Sequence, residues 1–257
     1  MYKKGMTSLE PISVFDARLE YGRGFLQKEP ERTLAEEMRL ADADGAVFVS
    51  RELFWLPPQR SIGLVNERTA ATPKAWGVYL LLPAIAGETP TVETLAEGFA
   101  EHRIAGFTLG NEQYGVPFHP LMLQDELAAC ERLHIPLFYH RAGPLSFEFL
   151  CAIMEKHPSL TVILSIDEEW PNARKLYPLM KAYEGIRLCL SEHVWMGAIE
   201  DLTAKFGARR LLYSSSHPRR YAGGTVLMVQ NAAITQEEKD LIFRDNLKRL
   251  IGGIGHD

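Results

Sequence analysis

The chain has few of the features that mark secreted or membrane-spanning proteins. Its three cysteines, Cys130, Cys151 and Cys189, are far apart and form no C-x-x-C pair, so the sequence predicts neither a disulfide framework nor a cysteine metal site. No apolar run is long enough to span a membrane, because the longest, Ala75–Ala86, is interrupted by a glycine and a proline. The beginning, M-Y-K-K-G-M-T-S, has no apolar core of a signal peptide. We therefore expect a cytoplasmic protein with reduced cysteines and no membrane partner.

The chain also lacks a basic stripe and a dinucleotide-binding motif, and these two absences reduce the number of possible functions. The chain carries 28 basic and 33 acidic residues, for a net charge of −5, and they are mixed along its length. Without a basic stripe, nucleic acid is not an expected partner. No G-x-G-x-x-G follows any apolar run, which removes the commonest dinucleotide-binding fold.

The stretch Ile135–Gly143, I-P-L-F-Y-H-R-A-G, carries the first positive signal. Its apolar run predicts a buried strand with helices on both faces. His140 ends this strand and Arg141 begins the loop that follows it. In α/β proteins the C-terminal ends of strands are where binding and catalytic sites lie. A histidine that only caps the strand by hydrogen bonding is the competing interpretation.

The chain is built of eight similar strand-and-helix units, and this stretch belongs to the fifth. Strand-like segments begin about every 24 to 34 residues, with helical patterns between them, which predicts a single-domain (β/α)8 barrel over residues 1–257. An open, doubly wound sheet is the alternative. The predicted strands are Ile12–Leu19, Ala46–Ser50, Ala75–Leu82, Gly106–Leu109, Ile135–His140, Thr161–Leu164, Ile186–Ser191 and Arg210–Tyr213. The first and last predicted helices begin with capping-box spacings, Thr33 with Glu36 and Thr235 with Glu238.

Several short stretches between Val14 and Gly252 form a recognisable series. They are N-E-R followed by A-W-G-V-Y-L-L-L-P, A-G-F at 105–107, P-L-F-Y-H, H-P-S-L-T-V-I-L, R-R-L-L-Y-S-S-S-H-P, and the closing segment E-E-K-D-L-I-F-R-D-N-L-K-R-L-I-G, which contains Asn246. In these stretches the chain resembles the amidohydrolase-related family (amidohydrolase 2 type) of metal-dependent hydrolases and decarboxylases, with Asn246 at the family's asparagine. The resemblance implies an α/β barrel with a site at its C-terminal mouth.

The catalytic positions depart from the family. Where the family's first strand ends H-x-H, with two metal ligands on one face, this chain has Arg18-Leu19-Glu20. His140 stands at the fifth-strand histidine. The family also has a histidine at the end of its sixth strand, and in this chain that position falls within Ser165-Ile166-Asp167, which contains no histidine. Ser216 stands where the family's eighth strand has a metal-binding aspartate.

These changes predict that the metal site is largely lost, and we expect no metal or other cofactor. A zinc site needs three or four ligands, and a guanidinium among them removes a donor and repels the cation. Arg18 could clamp an anion, or it could form a structural pair with Glu20 or Asp16. The alternative is a metal retained by Glu20, His140 and Asp167.

The expected function is that of a divergent hydrolase or decarboxylase acting on a small, anionic molecule. Its predicted catalytic residues are His140, Glu20 and Asp167, with His140 as general acid or base. The predicted substrate-binding residues are Arg18, Arg141, His193, Ser216 and His217. A Ser216–His217 nucleophile–base pair is not expected, because adjacent residues of an extended chain face opposite sides.

The alternative is that the chain is a non-catalytic barrel protein with a small-molecule-binding or regulatory function. The resemblance also suggests a homodimer, which nothing in the sequence itself tests.

Overall fold

The computed structural model describes residues 12–24, 32–110, 114–117, 119–141, 146–166, 170–191 and 196–255. Eight strands alternate with helices along them. The strands are β1 (Phe15–Tyr21), β2 (Gly45–Ser50), β3 (Ala75–Leu80), β4 (Ile104–Thr108), β5 (Leu137–Arg141), β6 (Val162–Ile166), β7 (Ile186–Cys189) and β8 (Leu211–Leu212). Each overlaps the segment that its alternating or wholly apolar pattern predicts.

The strands form one parallel sheet in the order β1 to β8. The two ends of the sheet meet, since the residues after β8 hydrogen-bond to β1. Ala17 donates its backbone N–H to the Tyr213 carbonyl at 3.0 Å, and Glu20 donates its backbone N–H to the His217 carbonyl at 2.8 Å. The predicted (β/α)8 barrel is thus confirmed, and all strand C-termini lie at one end, which we call the mouth.

The helices cover the outside of the barrel. They are α1 (Leu34–Leu40), α2 (Pro58–Ala71), α3 (Val92–Ala96), α4 (Phe99–His102), α5 (Gln124–Arg132), α6 (Phe147–Lys156), α7 (Trp170–Ala182), α8 (Ala198–Phe206), α9 (Ala222–Asn231), α10 (Gln236–Asp240) and α11 (Asn246–Gly252). The two predicted capping boxes are present at the starts of α1 and α10. A π-helical turn, Leu241–Asp245, joins α10 to α11.

Three helical segments differ from the prediction. The segment Val92–His102 is broken into α3 and α4, with Gly98 preceding the second helix. Helix α2 begins at Pro58 rather than at Asn66, so the connection after β2 is short and contains a 3-10 turn, Arg51–Phe54. Helix α9 was not predicted, because its A-G-G-T-V start has poor helix propensity.

The core lies inside the barrel and between the barrel and its helices. Helix α11 is fastened to β8 by Asn246, whose buried side-chain amide donates to the carbonyls of Ala208 and Leu211 at 2.8 and 2.9 Å. No disulfide joins the three cysteines, all of which lie in the described part of the chain, as predicted. None of the helices described is long and apolar enough to cross a membrane.

Candidate functional site

Arg18 crosses the mouth of the barrel. It lies near the C-terminal end of β1 and is only 4% exposed. Its Nη1 donates to the hydroxyl of Ser165 on β6 at 2.6 Å, and its Nη2 donates to Glu20 Oε1 at 2.8 Å. The Arg18–Glu20 pair that the sequence allowed is therefore formed. Because a bulge interrupts β1 between Asp16 and Leu19, local strand geometry alone did not guarantee this contact.

Glu20 is surrounded by guanidinium groups from three elements. Besides Arg18, Arg51 approaches Glu20 Oε2 to 3.7 Å and Arg219 approaches Glu20 Oε1 to 3.6 Å. Arg51 directly follows β2, and Arg219 follows β8. These two contacts are longer than hydrogen bonds, so they act through charge. Among the described residues, three cations thus face one anion at this point of the mouth.

Asp16 fixes the seam between β1 and β8 beneath Arg18. Its fully buried carboxylate accepts the backbone N–H groups of Arg18 at 3.0 Å and Ser215 at 2.9 Å, and also the Ser215 hydroxyl. Burial raises the pKa of Asp16 to about 6, although the hydrogen bond from the Ser215 hydroxyl acts in the opposite direction. The carboxylate thus binds one backbone N–H group on each side of the β1–β8 seam, next to the bulge in β1.

Three buried serines line the ends of β7 and β8. Ser214 donates to the Ser191 hydroxyl at 2.8 Å, and the hydroxyls of Ser191 and Ser216 are also 2.8 Å apart. Ser216 has a left-handed backbone, with φ of 52°, which is uncommon for a residue with a side chain. Ser216, predicted to bind substrate, therefore lies at the mouth within this hydroxyl cluster.

His217 turns away from the serines. Its Nε2 lies 2.6 Å from Glu37 Oε2 on α1, while its backbone N–H donates to the Ser215 hydroxyl at 3.0 Å. The expectation that Ser216 and His217 do not act as a nucleophile–base pair agrees with these opposite directions. In this arrangement the imidazole joins α1 to the segment after β8.

The turn that carries Arg51 is held by a buried ion pair. Arg68 on α2 binds both carboxylate oxygens of Glu52 at 2.7 and 2.8 Å, and Arg23 donates its backbone N–H to Glu52 at 2.7 Å. Burial alone raises the pKa of Glu52, but the hydrogen bonds from Arg68 and Arg23 outweigh it and leave the pKa below its ordinary value. Gly22, with φ of 104°, permits this approach, since a Cβ there would lie 2.0 Å from Glu52 Oε2.

Several predicted residues are described only in part or not at all. His140 and Arg141 form the end of β5, and the backbone of His140 pairs in register with Ser165. The structure therefore places the backbone of His140 on β5 beside Ser165 of β6, the residue to which Arg18 donates. Asp167 and His193 lie outside the described residues.

Sequence reasoning missed Arg51 and Arg219 and gave Ser191 no role. The rule that selected His140, position at the C-terminal end of a predicted strand, extends to Arg51, which directly follows the predicted strand Ala46–Ser50. Arg219 gave no local signal, since it lies several residues beyond β8 and reaches Glu20 only because the barrel closes.

The chain resembles several solved structures over nearly its whole length. It matches an uncharacterised TIM-barrel protein from Bordetella bronchiseptica with 18% identity and a TM-score of 0.68, covering 94% of this chain and 99% of that one. A 2,6-dihydroxybenzoate decarboxylase matches with 13% identity and a TM-score of 0.71, covering 93% and 99%.

A 5-carboxyvanillate decarboxylase from Novosphingobium aromaticivorans, solved with manganese, matches with 14% identity and a TM-score of 0.67, covering 95% and 97%. No family model and no curated protein matches the sequence. At these identities the likenesses establish the fold, which is the barrel that the family resemblance implied.

Proposed function

We propose that the chain is a divergent amidohydrolase-type barrel whose mouth binds a small anionic molecule for hydrolysis or decarboxylation. The observation that carries this proposal is the buried Arg18 guanidinium, fixed between Ser165 and Glu20 at the mouth. A planar guanidinium in a site shielded from water binds carboxylates and phosphates well. Two of the solved structures with this fold are decarboxylases named for small aromatic acids, 2,6-dihydroxybenzoate and 5-carboxyvanillate.

The first strand does not fit a divalent cation. Arg18 and Glu20 occupy the positions of the family's two metal-binding histidines, and Arg18 offers only hydrogen-bond donors. Two unit charges about 4 Å apart repel by roughly 4 kcal/mol at an effective dielectric near 20. Within the described ranges no group of three or more His, Cys, Asp or Glu side chains is placed to hold a metal. We therefore derive no catalytic step through a metal.

In the proposed site Arg18, which spans the mouth from β1 to Ser165 on β6, holds the anionic group of the substrate. His140 serves as the general acid or base, and Asp167 assists it. Support for His140 comes from its place at the end of β5, in register with Ser165. Proton transfer by a positioned side chain typically contributes about 10²- to 10⁴-fold to a rate.

A non-catalytic binding role is the second candidate, and the serine cluster favours it. Ser216 stands at the family's catalytic aspartate, and its hydroxyl bonds to Ser191. A hydroxyl at its ordinary pKa is a poor general base. Such a barrel would bind an anion at the mouth but would not convert it.

An activity and binding assay on the purified protein separates the two candidates. We would offer aromatic and aliphatic carboxylic acids and their amides, and follow CO₂ release, hydrolysis and binding. Turnover that falls about 10²-fold or more in His140→Gln and is weakened in Arg18→Lys supports the enzyme. Binding without turnover that needs Arg18 supports the second candidate. Absence of both binding and turnover across the panel would refute the anion site.

Elemental analysis tests the loss of the metal. Protein prepared without chelator should contain much less than one zinc or manganese per chain, and chelators should not change its activity or its thermal stability. One tightly held metal per chain, lost in His140→Ala, would contradict the proposal and favour the ligand set of Glu20, His140 and Asp167.

A further inference from the structure

We infer that Glu20 is an internal counter-anion that an incoming oxyanion must displace, so that this residue sets the affinity and selectivity of the mouth. The inference rests on the proposed function, because it takes Arg18 as the anion clamp. It assigns to Glu20 a role opposite to that of a catalytic or metal-binding carboxylate. Glu20 occupies the arginines until a ligand of the same chemistry replaces it.

The geometry around Glu20 is that of a bound carboxylate ligand. One oxygen, Oε1, accepts a hydrogen bond from buried Arg18 and lies 3.6 Å from Arg219, while Oε2 lies 3.7 Å from Arg51. Each oxygen thus faces a different guanidinium at the rim. A free carboxylate or phosphate has the same charge and the same acceptor geometry, and it would compete for these groups.

Access differs between the two sides of Glu20. The Arg18 side chain is 5% exposed, whereas those of Glu20, Arg51 and Arg219 are 19%, 31% and 34% exposed. An anion arriving from solvent therefore meets Arg51 and Arg219 before Arg18, and at Arg18 Nη2 it competes with Glu20. The bond to Ser165 is made by Nη1 and the bond to Glu20 by Nη2, so the guanidinium remains held by Ser165 when Glu20 leaves.

Removing the charge of Glu20 without changing its shape should therefore strengthen anion binding. In Glu20→Gln the amide oxygen can still accept from Arg18, so the fold is retained, but a like charge next to the incoming anion is gone. We expect binding of benzoate and of inorganic phosphate to tighten by about tenfold or more at low ionic strength, and the gain to shrink as salt increases.

Isothermal titration calorimetry with benzoate and with inorganic phosphate measures this effect on the full chain. The matched control is Glu101→Gln, since Glu101 is exposed on α4 and the variant changes the net charge equally. It should bind like the unchanged protein. A second variant, Glu20→Asp, keeps the charge on a shorter side chain, and it should gain less than the glutamine variant.

Three results would overturn the inference, and they can be told apart. If the unchanged protein binds an anion through Arg18, but Glu20→Gln binds it no more tightly or more weakly, Glu20 is not a competitor and the proposed function stands. If no anion binds to the unchanged protein, to Glu20→Gln or to Glu20→Asp, both the inference and the anion site are wrong. Tighter binding in Glu101→Gln of the same size would also refute it, as a general charge effect.

Discussion

Asp16 offers a sharp test of how the barrel is closed, because its carboxyl group is buried and titrates near neutral pH. Its ordinary pKa is 3.8, and burial raises the pKa to about 6 in the folded protein. One unit of pKa corresponds to about 1.4 kcal/mol, so the ionised carboxylate destabilises the fold by about 3 kcal/mol relative to the protonated acid. The hydrogen bonds from Ser215 are already included in this balance.

The sign of the pH dependence follows from the raised pKa. Below about pH 3.8 both the folded and the unfolded chain hold the proton, and the stabilising contribution of the neutral acid is fully present. As the pH rises from 3.8 through about 6, the unfolded chain loses the proton first, and the contribution is lost. Above that range both states are ionised and the dependence ends.

The perturbation is Asp16→Asn, which keeps the shape and removes the titration. The amide oxygen can accept the backbone N–H groups of Arg18 and Ser215, and the amide N–H can donate to the Ser215 hydroxyl, which can reverse its role. The free energy of unfolding of the variant minus that of the unchanged protein should increase by about 3 kcal/mol between about pH 3.5 and about pH 7.5.

Urea unfolding at a series of pH values, followed by circular dichroism, measures this difference. Taking the difference between two chains cancels the titration of the shared groups. Ser215→Ala is the companion variant: it removes a hydrogen bond that lowers the pKa of Asp16, so the titration should move to higher pH. Parallel stability curves for the unchanged protein and Asp16→Asn would refute the reasoning.

Two further predictions concern stability, and both are measured by urea unfolding at pH 7. Asn246→Ala should lower the free energy of unfolding by about 1 to 3 kcal/mol, because the two buried carbonyls that the Asn246 amide bonds are left without a donor. Asn246→Asp should lower it by as much. A loss under about 0.5 kcal/mol in both variants would contradict the role of Asn246 in fastening α11. Arg68→Met should lose about 3 to 5 kcal/mol, since it leaves the buried Glu52 carboxylate without its ion pair. Its control is Arg132→Met, which breaks the exposed pair with Glu93 and should cost about 1 kcal/mol or less; equal losses in the two variants would show that burial does not decide the effect.

The sequence alone determined the positions of the strands and most helices, because these depend on local patterns. A buried strand needs a short apolar run, as in V-I-L of β6, and a helix start needs a capping residue, as at Thr33 with its partner Glu36. Eight such repeats in a chain of this length leave few architectures. Where local preference and packing disagree, as in the glycine-rich start of α9, the prediction failed because buried contacts at Thr225 and Val229 outweigh helix propensity.

The arrangement of the mouth was decided only by the tertiary structure. Arg18 and Ser165 are 147 residues apart, and Glu37 and His217 are 180 apart. These pairs meet because the parallel sheet closes on itself and brings all strand ends to one edge. The sequence allowed Arg18 to pair with Glu20 or with Asp16, and burial decided between them: the Asp16 carboxylate is taken by backbone groups at the β1–β8 seam, which leaves Glu20 for the guanidinium. No local sequence pattern predicts whether Arg18 pairs with Asp16 or with Glu20, since the outcome depends on which hydrogen-bond donors the closed barrel removes from water.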